Sequence, residues 1–190
     1  MTSTITTPEA PVTTAVTGER ADLLETLGKH RYFLRHTVQG LTDDEARLRT
    51  TASELTLGGL IKHVAGIEKG WVDFILDGPQ SGVGEVDWSQ DGEISPEVLE
   101  EWSAKFRLLP DETLEGVLAE YAEVARRTDE LVAGIPDLDA SQPLPEAPWF
   151  EAGARWSARR VFLHIVAETA QHAGHADIIR ESLDGQKSMG

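Results

Sequence analysis

His164-Ile165-Val166-Ala167-Glu168-Thr169-Ala170-Gln171-His172-Ala173-Gly174-His175-Ala176-Asp177-Ile178-Ile179-Arg180 is the stretch whose periodicity decides the fold. An α-helix advances about 100° per residue. With Val161 set to zero, Ile165 falls at about 40°, Glu168 at about 340°, His172 at about 20°, His175 at about 320° and Ile179 at about 0°. One stripe of a long helix therefore carries aliphatic residues and three titratable groups together. Phe162, Thr169 and Ala173 lie off to one side of it, and Arg159, Leu163 and Arg180 toward the opposite side. Ser157 is placed to cap the start of this helix, which runs to about Ser182. Gly185 is placed to stop it.

A second stretch repeats the pattern. From Leu57 to Asp77, Thr56 is the expected N-cap and Gly78-Pro79 the stop. Counted from Leu60, His63 falls at about 300°, Val64 at about 40°, Ile67 at about 340°, Trp71 at about 20° and Phe74 at about 320°. A buried imidazole or carboxylate without a partner costs several kcal/mol or shifts its pKa to stay neutral. A lone His on an apolar face is usually a hydrogen-bonded core residue. Several such groups on two facing helices need a common explanation, and one shared divalent metal in the bundle core supplies it.

The spacing fits that explanation. Glu168 and His172 stand one turn apart and can converge on one ion. His63 from the facing helix completes a two-His, one-carboxylate set. Three protein ligands and an open position are the usual catalytic zinc arrangement. The same donors suit nickel, iron or manganese. His175 reads as a catalytic acid or base, as a ligand in place of Glu168, or as a residue at the bundle mouth. Glu168 also reads as a carboxylate at the packing edge. His164 sits on the shoulder, at about 300°, and is expected to cap or pack. His30 and His36 have no patterned partner and read as surface residues, and Trp71 reads as core.

Outward from these two helices, Leu27, Leu34 and Leu41 recur at heptad spacing along a helix from about Glu19 to Gln39. Thr42 and Glu45 form a capping-box signature for a short helix, Asp43 to Leu48. A Gly-rich loop spans Gly78 to Glu93, and Ser95-Pro96 opens another short helix. Pro110-Asp111 is expected to open a third long helix, reaching about Ala133 on a stripe of Leu114, Val117, Leu118, Tyr121, Val124, Thr128, Leu131 and Val132. A Pro- and Asp-rich loop follows. No convincing strand pattern appears. The expected fold is all-α, an antiparallel four-helix bundle with additional short helices and long connecting loops. Residues 18–185 form its single domain, with a disordered tail over 1–17 and a short tail over 186–190.

The 190 residues suffice for a sizeable core. The formal charge of −16 argues against nucleic-acid or anionic-lipid partners. No apolar run approaches the roughly 20 residues of a membrane span. With no cysteine, the chain has no disulfide, no thiolate ligand and no cysteine nucleophile. Any thiol chemistry must use a borrowed thiol. The composition fits a reducing cytosol, so a cytoplasmic location is expected.

His63-Val64-Ala65-Gly66-Ile67-Glu68-Lys69-Gly70-Trp71, followed by Trp156-Ser157-Ala158-Arg159-Arg160 and by the stretch from His164 to Arg180, resembles the DinB-like superfamily over about Ala21 to Gly185. The resemblance implies a bundle with a central metal held by one residue of the second long helix and two, spaced by four, of the last. His63 matches the first position, and Glu168 and His172 match the pair. Many members carry His where Glu168 stands, whereas the related mycothiol-using maleylpyruvate isomerases carry Glu. His175 has no counterpart in the three-ligand pattern of many members. The implied activity is metal-dependent transfer of a low-molecular-weight thiol such as mycothiol to a small electrophile, by a homodimer. Arg155, Arg159 and Arg160 read either as holders of an acidic thiol's carboxylates or as solvated arginines. The competing expectations are a non-catalytic metal-binding or dimerising stress protein of the same fold, and a metal-dependent hydrolase with His175 as base.

Overall fold

The computed structural model describes residues 16–79, 95–145, 147 and 149–188. Six helices follow in order: α1 Glu19–His36, α2 Asp43–Arg47, α3 Leu57–Asp77, α4 Pro96–Ala104, α5 Leu114–Gly134 and α6 Ala158–Asp184. Local chemistry sets most of their ends. Thr42 and Glu45 form the full capping box of α2. The hydroxyls of Thr56, Ser95 and Ser157 accept from Gly59, Val98 and Arg160 backbone N–H groups at the starts of α3, α4 and α6. Gly78 and Gly185, with φ of 78° and 80°, close α3 and α6 in a region closed to most side chains.

The expected bundle is present, as α1 packed on α6 and α3 packed on both α5 and α6. Its core has two lobes. One gathers Leu34, Leu60, Ile61, Val64, Tyr121 and Ile179. The other gathers Leu27, Val72, Val132, Val161, Phe162 and Ile165. Each fully buried aliphatic or aromatic side chain here contributes about 1.5–3 kcal/mol of transfer free energy.

The structure departs from the sequence reading in four places. The third long helix begins at Leu114, because Thr113, not Pro110-Asp111, caps it by accepting from Gly116 N–H. The first long helix ends at His36, and residues 37–40 turn off it. The Pro-rich loop contains a small antiparallel pair, β1 Ser141–Pro143 and β2 Arg155–Ser157, whose strands are too short to show a period of two. Arg180, expected opposite the stripe, in fact falls at about 100° on that wheel, beside Phe162, and is buried at 4% exposure, donating to the carbonyls of Thr37 and Gln39 and pairing with Asp184. The tail expected over 1–17 and the Gly-rich loop over 78–93 lie almost wholly outside the described residues. At the other end, Gln186 accepts from Arg180, and Ser188 N–H donates to Asp177.

Two features bear on the seam between α3 and α6. Glu68 of α3 is fully buried and accepts from Arg31 Nη2 at 2.5 Å, Arg31 Nε at 3.1 Å and the Thr128 hydroxyl at 2.6 Å. Arg31 Nη1 also meets Asp129 at 2.7 Å. This cluster ties α1, α3 and α5 together. Gly59, in the first turn of α3, lets the backbone of Phe106 come so close that a Cβ would lie 1.9 Å from the Phe106 carbonyl oxygen. That approach seats the Phe106 ring on His63, stacked at 4.0 Å between centroids.

Candidate metal centre

The histidines and the glutamate do not sit where the expected stripe put them. The buried face of α6 is made by Ala158, Val161, Phe162, Ile165, Thr169, Ala173, Ala176, Ile179 and Arg180. Its arc is centred at about 60° on the wheel that has Val161 at zero, so Glu168 and His172 fall on its edge. On α3 the buried arc runs from Phe74 and Leu60 through Val64, Glu68 and Ile61 to Val72 and Ala65, and His63 lies just beyond its Phe74 end. These two flanks face one another. The candidate site thus lies along the α3–α6 seam, at the rim of the core and not within it. The side chains of His172 and Glu168 are 14% and 27% exposed.

Along this seam the three predicted ligands converge. One donor atom each from His63, Glu168 and His172 lies within 4.8 Å of the others. The His63 and His172 rings meet edge to face at 4.9 Å. Glu168 Oε2 lies 3.6 Å from His172 Nε2. Burial, and then the neighbouring His172, push the His63 imidazole down to about 4. Burial also lowers His172, against the opposing pull of Glu168 and with a further lowering from His175. Both rings are therefore neutral near pH 7, with lone pairs free to donate. Two neutral imidazoles and one carboxylate fit zinc and its borderline neighbours, and leave an open coordination position.

The remaining predicted residues flank this set. His175 Nδ1 lies 3.4 Å from His172 Nδ1, which leaves His172 Nε2 toward Glu168. His164, expected to cap or pack, does pack, edge to face on Trp71 and Trp156 at 4.9 and 5.0 Å. It also reaches Glu168, with Nε2 3.8 Å from Oε1. Trp71 is half-buried and stacks on Trp156 at 4.9 Å. Of the three arginines, Arg155 bonds Ser141 and Arg159 pairs with Glu19 and Asp139. Arg160 lies over the Trp156 ring at 4.4 Å. His30 and His36 are half-buried, and His36 stacks on Tyr32, away from the seam.

Sequence reasoning misses Phe106 and the pairing of His164 with Glu168. The second is readable in the four-residue step between them, which repeats that of Glu168 and His172. The first comes from a loop and has no local signal.

Comparison with known proteins bears on the fold and the family. Among solved structures, that of a conserved protein from Enterococcus faecalis aligns with a TM-score of 0.62 and 14% identity, over 90% of this chain and 100% of that one. At that identity the likeness speaks for the fold alone. No curated protein matches the sequence. Among the described residues no helix is long and apolar enough to cross a membrane. The sequence profile of mycothiol-S-transferases matches residues 22–185, which takes in all three donors and both flanking histidines, and the chain belongs to the mycothiol-S-transferase family.

Proposed function

We propose that this protein is a metal-dependent transferase that moves a low-molecular-weight thiol of the mycothiol type onto a small electrophile. The observation that carries the reading is the convergence of His63, Glu168 and His172, each of them only partly buried. Family membership supplies the class of thiol. A divalent cation there, zinc before nickel, iron or manganese, supplies a Lewis acid that lowers the pKa of a thiol brought to it.

The chain's own residues do the rest. His63, fixed against Phe106, and His172, fixed by its contact with His175, present preset donors. Glu168 brings the one negative charge of the donor set. His175, half-exposed beside His172, takes the S–H proton as the new carbon–sulfur bond forms and returns it to the leaving group or to the carbon skeleton. The absence of cysteine leaves the borrowed thiol as the only sulfur nucleophile.

The test is metal content by mass spectrometry, together with turnover of a panel of electrophiles with and without thiol. One equivalent of metal, lost in His172→Ala, and turnover that needs both metal and thiol are expected. Turnover indifferent to thiol would make the protein a metal-dependent hydrolase. Metal without turnover on any electrophile would make it a binding protein. No metal after reloading with zinc, nickel or manganese would end the metalloenzyme reading.

A further inference from the structure

We infer that His164 is a positioning residue for Glu168: its imidazole, boxed by Trp71 and Trp156, draws Glu168 Oε1 to its side so that Oε2 is the oxygen turned toward His172. The inference rests on the metal reading above and assigns a job to a residue outside the donor set. Three observations carry it. The Glu168 carboxylate lies between two imidazoles of its own helix, one turn away on either side. Oε1 faces His164 Nε2 at 3.8 Å, and Oε2 faces His172 Nε2 at 3.6 Å. Each oxygen thus has its own ring, and the one on the His172 side faces a residue of the converging set.

The His164 ring is also restrained on two sides. It meets Trp71 of α3 at 84° and Trp156 of β2 at 69°, with centroids 4.9 and 5.0 Å away. The two indoles stack on each other at 17°, and Arg160 lies over Trp156 on the outside. A ring so enclosed loses little further freedom when it orients its neighbour. Finally, the box joins α3, which carries His63, to β2, whose last residue caps α6. Its apolar walls lower the local dielectric, which strengthens the pull of an imidazole N–H on a carboxylate oxygen. The 3.8 Å separation from Oε1 is longer than a hydrogen bond, so the contact aligns the carboxylate without locking it.

A packing role alone makes a different prediction. His164→Phe keeps an aromatic ring between the tryptophans and removes the N–H. His164→Gln keeps an N–H near the Nε2 position and removes the ring. Zinc affinity is measured by competition with a chromogenic chelator, and the melting temperature of metal-free protein is followed alongside. Positioning predicts that His164→Phe binds zinc about 10–100-fold more weakly at an unchanged metal-free melting temperature. His164→Gln then recovers most of that loss. A His164→Phe protein that binds zinc like the wild type would overturn the inference while leaving the metal site intact. Equal weakening in both variants would also overturn it, by making the ring and not the N–H the active part. Wild-type protein that binds no zinc, nickel or manganese removes the site itself, and with it both readings.

Discussion

Gly59→Ala tests the link between backbone packing and the candidate donor set. A Cβ at this position would lie 1.9 Å from the Phe106 carbonyl oxygen, 2.6 Å from its carbonyl carbon and 2.8 Å from Thr56 Oγ1. A carbon needs about 3.3 Å from a carbonyl oxygen, so one backbone must retreat by about 1.4 Å. Overpacking of this kind costs about 1–3 kcal/mol, and the low end applies only where flexible side chains yield. Here two of the three contacts are backbone. The gain in helix propensity from Gly to Ala offsets about 1 kcal/mol. The net loss is about 1–2 kcal/mol, or a fall of about 2–8 °C in Tm for a chain of this size. Gly66 and Gly70, exposed on the same helix, have nothing within 4 Å of a Cβ. Gly66→Ala and Gly70→Ala keep the propensity gain and should raise Tm by about 2–4 °C. The assay is thermal unfolding of metal-free protein. Titration of the His63 ring by NMR is the second readout. With Phe106 displaced, His63 becomes more solvated, and its pKa climbs from about 4 toward the ordinary histidine value. Gly59→Ala as stable as Gly66→Ala, with His63 unmoved, would refute the reasoning.

Other outcomes rest on the same structure. Glu68→Ala leaves Arg31 buried with Asp129 alone and should destabilise by about 3–5 kcal/mol in urea unfolding. The double variant Arg31→Met/Glu68→Leu should recover most of that loss, and a Glu68→Ala cost under about 1 kcal/mol would contradict the role given to the cluster. Burial lowers His63, His164 and His172 alike. Unfolded histidines take up protons near pH 6.5, so the unfolded state binds more protons between about pH 6.5 and 4. Stability of metal-free protein is full above that window and lost as the pH falls through it. The urea midpoint should therefore be lower at pH 5 than at pH 7.5, with a smaller difference in His63→Gln. Zinc at 100 times its Kd should stabilise by about 2.7 kcal/mol, raising Tm by about 5–10 °C in wild type and not in His172→Ala.

Much of this is legible in the sequence because it is written locally. Thr42 and Glu45, Thr56 and Ser157 announce helix starts through bonds spanning three residues. The step from Glu168 to His172 is one helical turn. Thr113 escapes notice because Pro110-Asp111 offers an equally good local signal a few positions earlier, and only packing decides between them. The wheel finds the three donors but places them at the centre of the buried face, since it weighs Val161, Ile165 and Ile179 and not the equally buried Thr169, Ala173 and Arg180. Arg31, Glu68 and Asp129 leave no trace in any periodicity. Arg31 and Glu68 are 37 positions apart, and Arg31 and Asp129 98 apart. Charges that neutralise one another across such distances look like surface residues until the helices are assembled.

The cluster around Glu68 also works as an index mark. Were α1 to slide one turn along α3, Arg31 would move about 5.4 Å, and both it and Glu68 would face apolar walls with nothing to neutralise them. Leucines forgive such a slide, because one aliphatic contact replaces another. A buried guanidinium gripping one carboxylate does not. Three of the four long helices are thus locked to a common zero, and α6 is laid against two of them. His63 rides on α3 only five positions before that mark. The spacing between it and the candidate donors of α6 is therefore inherited from the alignment of the helices, so that on the proposed reading the cage is set before a cation arrives.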